Sequence, residues 1–199
     1  MKTDLLQLSP RATWQSAKVL ESGTLEDITR ISWEKTGDYS KDLVSLNNAQ
    51  SIEDGRQVYA LFTHPKWSDE GTLRGVYPEI TLPQNAMFEA SVGFSKGATQ
   101  TDGVTFEVWK IHQENGQDVS TRIAGTRKGY TGRLKKLNAN LSHLSGQKVK
   151  FELRVNAGPS SGQDWAVWTD VNVYSAPTEE SALGIEVSRI PKIKEEEEA

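Results

Sequence analysis

Between His64 and Gly71 the chain reads His-Pro-Lys-Trp-Ser-Asp-Glu-Gly. An imidazole (His64), an indole (Trp67) and two carboxylates (Asp69 and Glu70) share that short run. An aromatic face packs against the C–H groups of a saturated ring, and carboxylates and imidazole nitrogens hydrogen-bond hydroxyls. The set suits a polyhydroxylated ligand and requires no bond-making chemistry. Pro65 has no backbone donor, so the run breaks strand pairing and reads as a loop. Loops carried by a rigid scaffold are where binding side chains collect. The competing structural assignment has Trp67 closing one end of the scaffold while His64 bonds a backbone carbonyl.

Further candidates lie downstream. Tyr130 sits in the Gly-rich loop 125–132. Arg154 and Asn156 fall on the polar side of a late strand, and Trp168 follows in the next one. Catalytic patterns are weak. Gly158-Pro159-Ser160-Ser161-Gly162 has nucleophile-elbow spacing, but no helix follows it, so it reads as a loop. No pair of carboxylates is nominated for one cleft, as glycoside hydrolysis would need. The expectation is a protein that is not an enzyme.

The elements that must position these residues are strands. Val149, Phe151, Leu153 and Val155 alternate with Lys148, Lys150, Glu152, Arg154 and Asn156. That period of two predicts a strand with one face in a core. The same logic turns Phe88, Ala90, Val92 and Phe94 inward, and Val104, Phe106 and Val108 inward with Trp109 outward. Continued through the last strand, it points Trp165 inward with Val167, Val171 and Val173, and Trp168 outward with Ala166 and Tyr174. Asp164 is expected to accept backbone N–H groups from the 159–163 loop, as in an Asx turn. Asn115-Gly116 has two-residue hairpin chemistry. About nine or ten short strands with turn signals every 8–12 residues, and no convincing helix, predict an all-β antiparallel sandwich or barrel.

Composition removes several function classes. The chain has 199 residues, a net charge of −4 and a pI of about 5.5, which argues against a nucleic-acid partner. There are no cysteines, and the three histidines, His64, His112 and His143, are widely spaced, which argues against a zinc site. No apolar run approaches the roughly 20 residues of a membrane span, so no membrane insertion is expected. Residues 1–10 read as a lead-in and not as a secretory leader. A single sandwich domain is expected over 11–176. Residues 177–199 read as a C-terminal extension ending in four consecutive glutamates.

Five pieces then occur in a familiar order. They are Ala60-Leu61-Phe62-Thr63-His64-Pro65, Ala86 to Phe94, Gly103 to Trp109, Leu141-Ser142-His143-Leu144 with Val149 to Asn156, and Asp164-Trp165-Ala166-Val167-Trp168. Over about 59–174 the chain resembles the NPCBM-like carbohydrate-binding modules, with Pro65 a departure from the family's small residue after His. The resemblance implies a galactose-binding-domain-like jelly roll with a carbohydrate or glycoconjugate partner and an extracellular or cell-surface setting. The residues expected to form the ligand site are His64, Trp67, Asp69, Glu70, Tyr130, Arg154, Asn156 and Trp168. No cofactor is required. Such jelly rolls hold a structural calcium in loop oxygens, for which Asp102 is the candidate ligand. A scaffold subunit of a larger assembly is the alternative, and oligomeric state is open.

Overall fold

Strand-forming stretches here are short and alternate in polarity, so no single strand can hide its apolar face alone. The computed structural model describes residues 1–33 and 43–177, and pairs these stretches into two antiparallel sheets stacked face to face. The turn-like Lys35-Thr36-Gly37-Asp38 run of the sequence and the extension beyond 177 lie outside the described residues. In chain order the strands are β1 (Lys2–Asp4), β2 (Thr13–Val19), β3 (Leu25–Arg30), β4 (Leu43–Ser51), β5 (Gln57–His64), β6 (Gly71–Val76) and β7 (Ile80–Thr81). There follow β8 (Ala86–Phe94), β9 (Val104–Glu114), β10 (Gln117–Lys128), β11 (Lys135–Asn140), β12 (Lys148–Asn156) and β13 (Ala166–Ser175). One sheet runs β11-β8-β13-β5-β4 with β1 on β13, the other β10-β9-β12-β6-β2-β3 with β7 on β12.

The all-β antiparallel sandwich read from the periodicity is the fold found, with more strands than the sequence marks. Val149, Phe151, Leu153 and Val155 are all buried, as are Phe88, Ala90, Val92, Phe94, Val104, Phe106 and Val108. Asn115 and Gly116 make the β9–β10 hairpin turn with φ of 50° and 76°, the left-handed geometry their side chains tolerate. Asn47-Asn48 is not a turn; it lies inside β4, where the pairing with β5 shifts register between Asn47 and Gln50. Residues 1–10 belong to the packed sandwich. β1 pairs with β13, and Leu5 and Leu6 are buried in the core beside a short 3-10 turn (Leu6–Arg11).

β13 departs from simple alternation. Ala166 and Trp168 face the main core, and so do Val171 and Val173, which differ from them in parity. Register shifts between Thr169 and Asn172, and Asp170 takes a φ of 51°. This is a bulge: one extra residue flips the facing of everything after it. Trp168 is therefore 0 % exposed, with its ring 5.3 Å from Phe106 in an edge-to-face contact. Val167 packs on the opposite side of the sheet with Ile52 and Ala60. Trp165, expected inward, is only partly buried.

The β4–β5 turn is held by a buried ion pair. Glu53 Oε1 accepts from Lys128 Nζ at 2.6 Å and from the Phe94 N–H at 3.0 Å. Its Oε2 accepts from the Thr131 and Gly132 N–H groups at 2.9 and 3.0 Å. One carboxylate thus ties this turn to the end of β8 and to the β10–β11 loop. Gly93 makes room, since a Cβ there would lie 2.5 Å from Glu53 Oε1. Removing one member of such a pair strands the other charge in a dry site. Lys128→Met is expected to lower the unfolding free energy by about 3–5 kcal/mol, measured as the shift in urea midpoint. A midpoint equal to that of the parent protein would show that the pair does not hold the turn.

Candidate functional site

The β5–β6 connection, 65–70, is shaped mainly by its own backbone. Ser68 N–H donates to Lys66 O at 2.7 Å, and Gly71 N–H to Ser68 O at 3.2 Å. A Cβ at Gly71 would sit 2.0 Å from Lys66 O, so only glycine lets the loop close this tightly. Glu70, with a φ of 55°, donates its N–H to Gly158 O at 2.6 Å and accepts at its own carbonyl from Val19 N–H at 2.9 Å. The loop is therefore fastened both to β2 and to the β12–β13 loop.

Within it, His64 and Trp67 stack, with ring centroids 4.1 Å apart and planes 12° from parallel. His64 is 1 % exposed and Trp67 43 %. His64 Nδ1 donates to Pro65 O at 2.7 Å, which leaves Nε2 as a bare, buried acceptor with no partner. Burial lowers the imidazole pKa to about 4, against a smaller raising effect of the Pro65 hydrogen bond. The ring is thus neutral near pH 7 and backs the indole without charge. His64 thus bonds a backbone carbonyl, as the structural assignment had it, and Trp67 covers the His64 ring while staying 43 % exposed.

The other expected residues scatter. Asp69 and Glu70 share the loop, with Asp69 3.7 Å from Lys18 Nζ. Asn156 is nearby in β12, where its Oδ1 accepts the Gly158 N–H at 2.9 Å and shapes the loop that receives Glu70. Arg154 lies on the outward face of the seven-stranded sheet. Its Nε donates to Glu152 Oε2 at 2.9 Å and its guanidinium covers the Trp109 ring at 4.4 Å. Arg74 holds the same Glu152 at 3.1 Å. Trp109 thus points outward as expected, and Arg154 covers it. Tyr130 packs against the core and accepts the Gly97 N–H at 3.2 Å. Trp168, expected as a ligand contact, is a core residue, because the β13 bulge puts it on the inward face.

Asp164 does not form the expected local turn. Its Oδ1 accepts from Thr101 Oγ1 at 2.5 Å, linking the β12–β13 loop to the β8–β9 loop, and its buried Oδ2 has no partner. Asp102 is exposed and stands 4.0 Å from Arg127 Nη2. Among the described residues no group of three or more His, Asp or Glu side chains converges as a metal site.

A feature the residue-by-residue reading passed over lies on the outer face of the six-stranded sheet. A cavity of about 590 Å³ opens there against Lys2, Asp4, Arg56, Tyr59, Asp170 and Asn172. Alternation gives no signal for it, because the bulge at Asp170 on which it sits leaves each half of β13 looking regular.

No protein-family model matches the sequence and no curated protein matches it, so the NPCBM-like resemblance rests on the motifs themselves. Among solved structures, the chain is similar to the CBM22-1–GH10 modules of Clostridium thermocellum xylanase Xyn10B complexed with xylohexaose. The identity is 11%, the TM-score 0.45, and the match covers 69% of this chain and 25% of that one. It is also similar to TmCBM61 in complex with β-1,4-galactotriose, at 18% identity, TM-score 0.42, and coverage of 71% and 93%. A Stig cyclase from Fischerella sp. TAU matches at 12% identity and TM-score 0.45, over 83% and 86%. At these scores the likeness carries neither fold nor function, and both stand on the geometry above.

Two groups at this end titrate in opposite senses. Burial, opposed by the Thr101 hydrogen bond, raises the Asp164 pKa from 3.8 to about 7. Its stabilising contribution is complete below pH ~4 and is lost as pH rises through ~7. His64 is lowered from 6.5 to about 4, so its contribution is present above pH ~6.5 and is lost as pH falls through ~4. The two slopes oppose each other between about pH 4 and 6.5. Asp164→Asn is expected to leave the His64 slope exposed, with stability falling on acidification and a gain over the parent protein above pH 7. Denaturation midpoints collected from pH 4 to 8 check this. Identical pH profiles for the two proteins would count against the Asp164 assignment.

Proposed function

We propose that this is a non-catalytic carbohydrate-binding β-sandwich that receives a glycan at the β5–β6 loop. The observation that carries the reading is the exposed Trp67 ring held against a buried, neutral His64. An indole fixed in this way has little freedom left to lose when a sugar ring packs on it. Asp69 and the half-buried Glu70 beside it supply acceptors for hydroxyls. The motif resemblance to NPCBM-like modules points the same way and implies an extracellular or cell-surface setting. Arg154, Tyr130 and Trp168 are left out of the proposed site, since each is committed to packing or to an internal bond.

Calorimetry and affinity electrophoresis against a panel of soluble polysaccharides test this reading. Trp67→Ala is expected to weaken binding by about 1–2 kcal/mol, 5- to 30-fold in Kd. Unchanged thermal unfolding of that variant would show that only the platform was lost. Binding to no member of the panel, or equal binding by Trp67→Ala, would overturn the proposal.

A further inference from the structure

The groove on the outer face of the six-stranded sheet is separate from the Trp67 loop. Its larger part is the 590 Å³ cavity, and a second part of about 120 Å³ continues it. The two share Lys2, Asp170 and Asn172, and the second adds Glu89, Ser91 and Lys136. The lining therefore crosses the strands from β11 through β8 and β13 to β5. Three strand spacings of ~4.8 Å make this roughly 14 Å.

The groove has an unusual charge arrangement. Lys2, Arg56 and Lys136 line it, and so do Asp4, Glu89 and Asp170. Opposite charges facing one groove normally pair with each other. Here Arg56 turns away to Asp54 at 2.7 Å, and Asp4 Oδ1 takes the Leu6 N–H at 2.9 Å. Lys2, Lys136, Glu89 and Asp170 make no ion pair with any described residue. The backbone explains why Asp170 is free: the bulge at φ 51° lifts it out of the ladder, where β13 exchanges β5 for β1 as its neighbour. Neutral polar side chains fill the intervals, with Asn172 and Gln7 on the larger side and Ser91 on the smaller.

We infer that this groove binds a short zwitterionic peptide of about three or four residues, with its ammonium on Asp170 and its carboxylate on Lys136. The length follows from the two strand spacings, about 10 Å, between Asp170 in β13 and Lys136 in β11, extended by the reach of the lysine side chain, at ~3.3–3.6 Å per extended residue. The chemical class follows from balanced, unpaired charges: a purely anionic or cationic ligand would meet as much repulsion as attraction. A neutral ligand would leave the charges unused. A zwitterion satisfies both signs at once, and its amides meet Asn172 and Ser91.

Nuclear magnetic resonance titration of the full chain with tetraglycine tests the inference, with N-acetyl-tetraglycine amide and xylotetraose as comparisons. The expected result is saturable shifts at Lys2, Thr169 to Asn172 and Lys136, at least 10-fold weaker for the end-blocked peptide. Asp170→Asn preserves the bulge, because asparagine accepts positive φ, and should weaken tetraglycine binding at least 10-fold. Lys136→Gln is a second variant, away from the bulge, with the same expected direction. Trp67→Ala should leave peptide binding intact, so failure here and failure of the glycan reading are distinguishable. Equal affinity for the blocked peptide, shifts confined to other surfaces, or xylotetraose displacing the same resonances would overturn the inference.

Discussion

One backbone constraint organises much of this molecule: the bulge at Thr169–Asp170 in the middle of β13. This strand pairs with β8 along both halves, but on its other side it pairs first with β5 and then with β1. A straight strand would carry the same inward parity throughout. The extra residue lets Ala166 and Trp168 face the core from the first half, and Val171 and Val173 from the second. Four apolar side chains are buried where strict alternation would turn two of them outward. At about 1.5–3 kcal/mol for each large side chain buried, that gain exceeds the ~1–3 kcal/mol cost of one strained residue. The same exchange of neighbours admits the first four residues into the sheet and opens the groove beside Asp170.

This constraint also explains where the sequence was legible. Uninterrupted strands could be read by eye: in β12 every alternate apolar residue from Val149 to Val155 is buried. The hairpin at Asn115-Gly116 was equally clear, because its chemistry is local. Facing along β13 was not, since a one-residue insertion leaves each half looking regular while reversing their relation. Trp168 shows the cost: its neighbours in sequence are right for a strand, but its facing depends on a φ value two residues away. Asp164 failed for a different reason. Its partner, Thr101, is 63 positions distant in sequence, and a short polar residue beside a loop always offers a local bond as the simpler reading. At the candidate site, the exposed Trp67 and its loop were legible from composition. The stacking of His64 beneath it was not, since β5 alternation says only that His64 ends a strand.

The buried charges separate structural parts from displayed ones. Glu53 has four donors on its two oxygens, and Glu152 is shared by Arg74 and Arg154. Each is a closed arrangement with no capacity left over. Arg154 and Trp109 belong to the second of these, which is why an arginine on the outward face is not free to meet a ligand. By contrast, Lys2, Lys136, Glu89 and Asp170 have surroundings that leave their charges unmatched. Compensation is complete where the chain must be held and incomplete around the groove and the loop end.

At the loop end the same distinction sets the form of any contact. His64 occupies one face of the Trp67 indole at 4.1 Å, so no ligand ring can stack on that face. The imidazole beneath is neutral, so it adds no charge preference through the ring. Discrimination among ligands must come from the rim, where Asp69 and Glu70 accept hydrogen bonds and Lys18 donates them. Glu70 is fixed by its backbone bonds to Gly158 and Val19, whereas Asp69 is largely exposed and held only by Lys18 at 3.7 Å. On the glycan reading proposed above, the backbone bonds set where Glu70 stands on the rim, and with one Trp67 face taken by His64 a single stacked ring suits the loop better than a chain laid across several aromatic platforms.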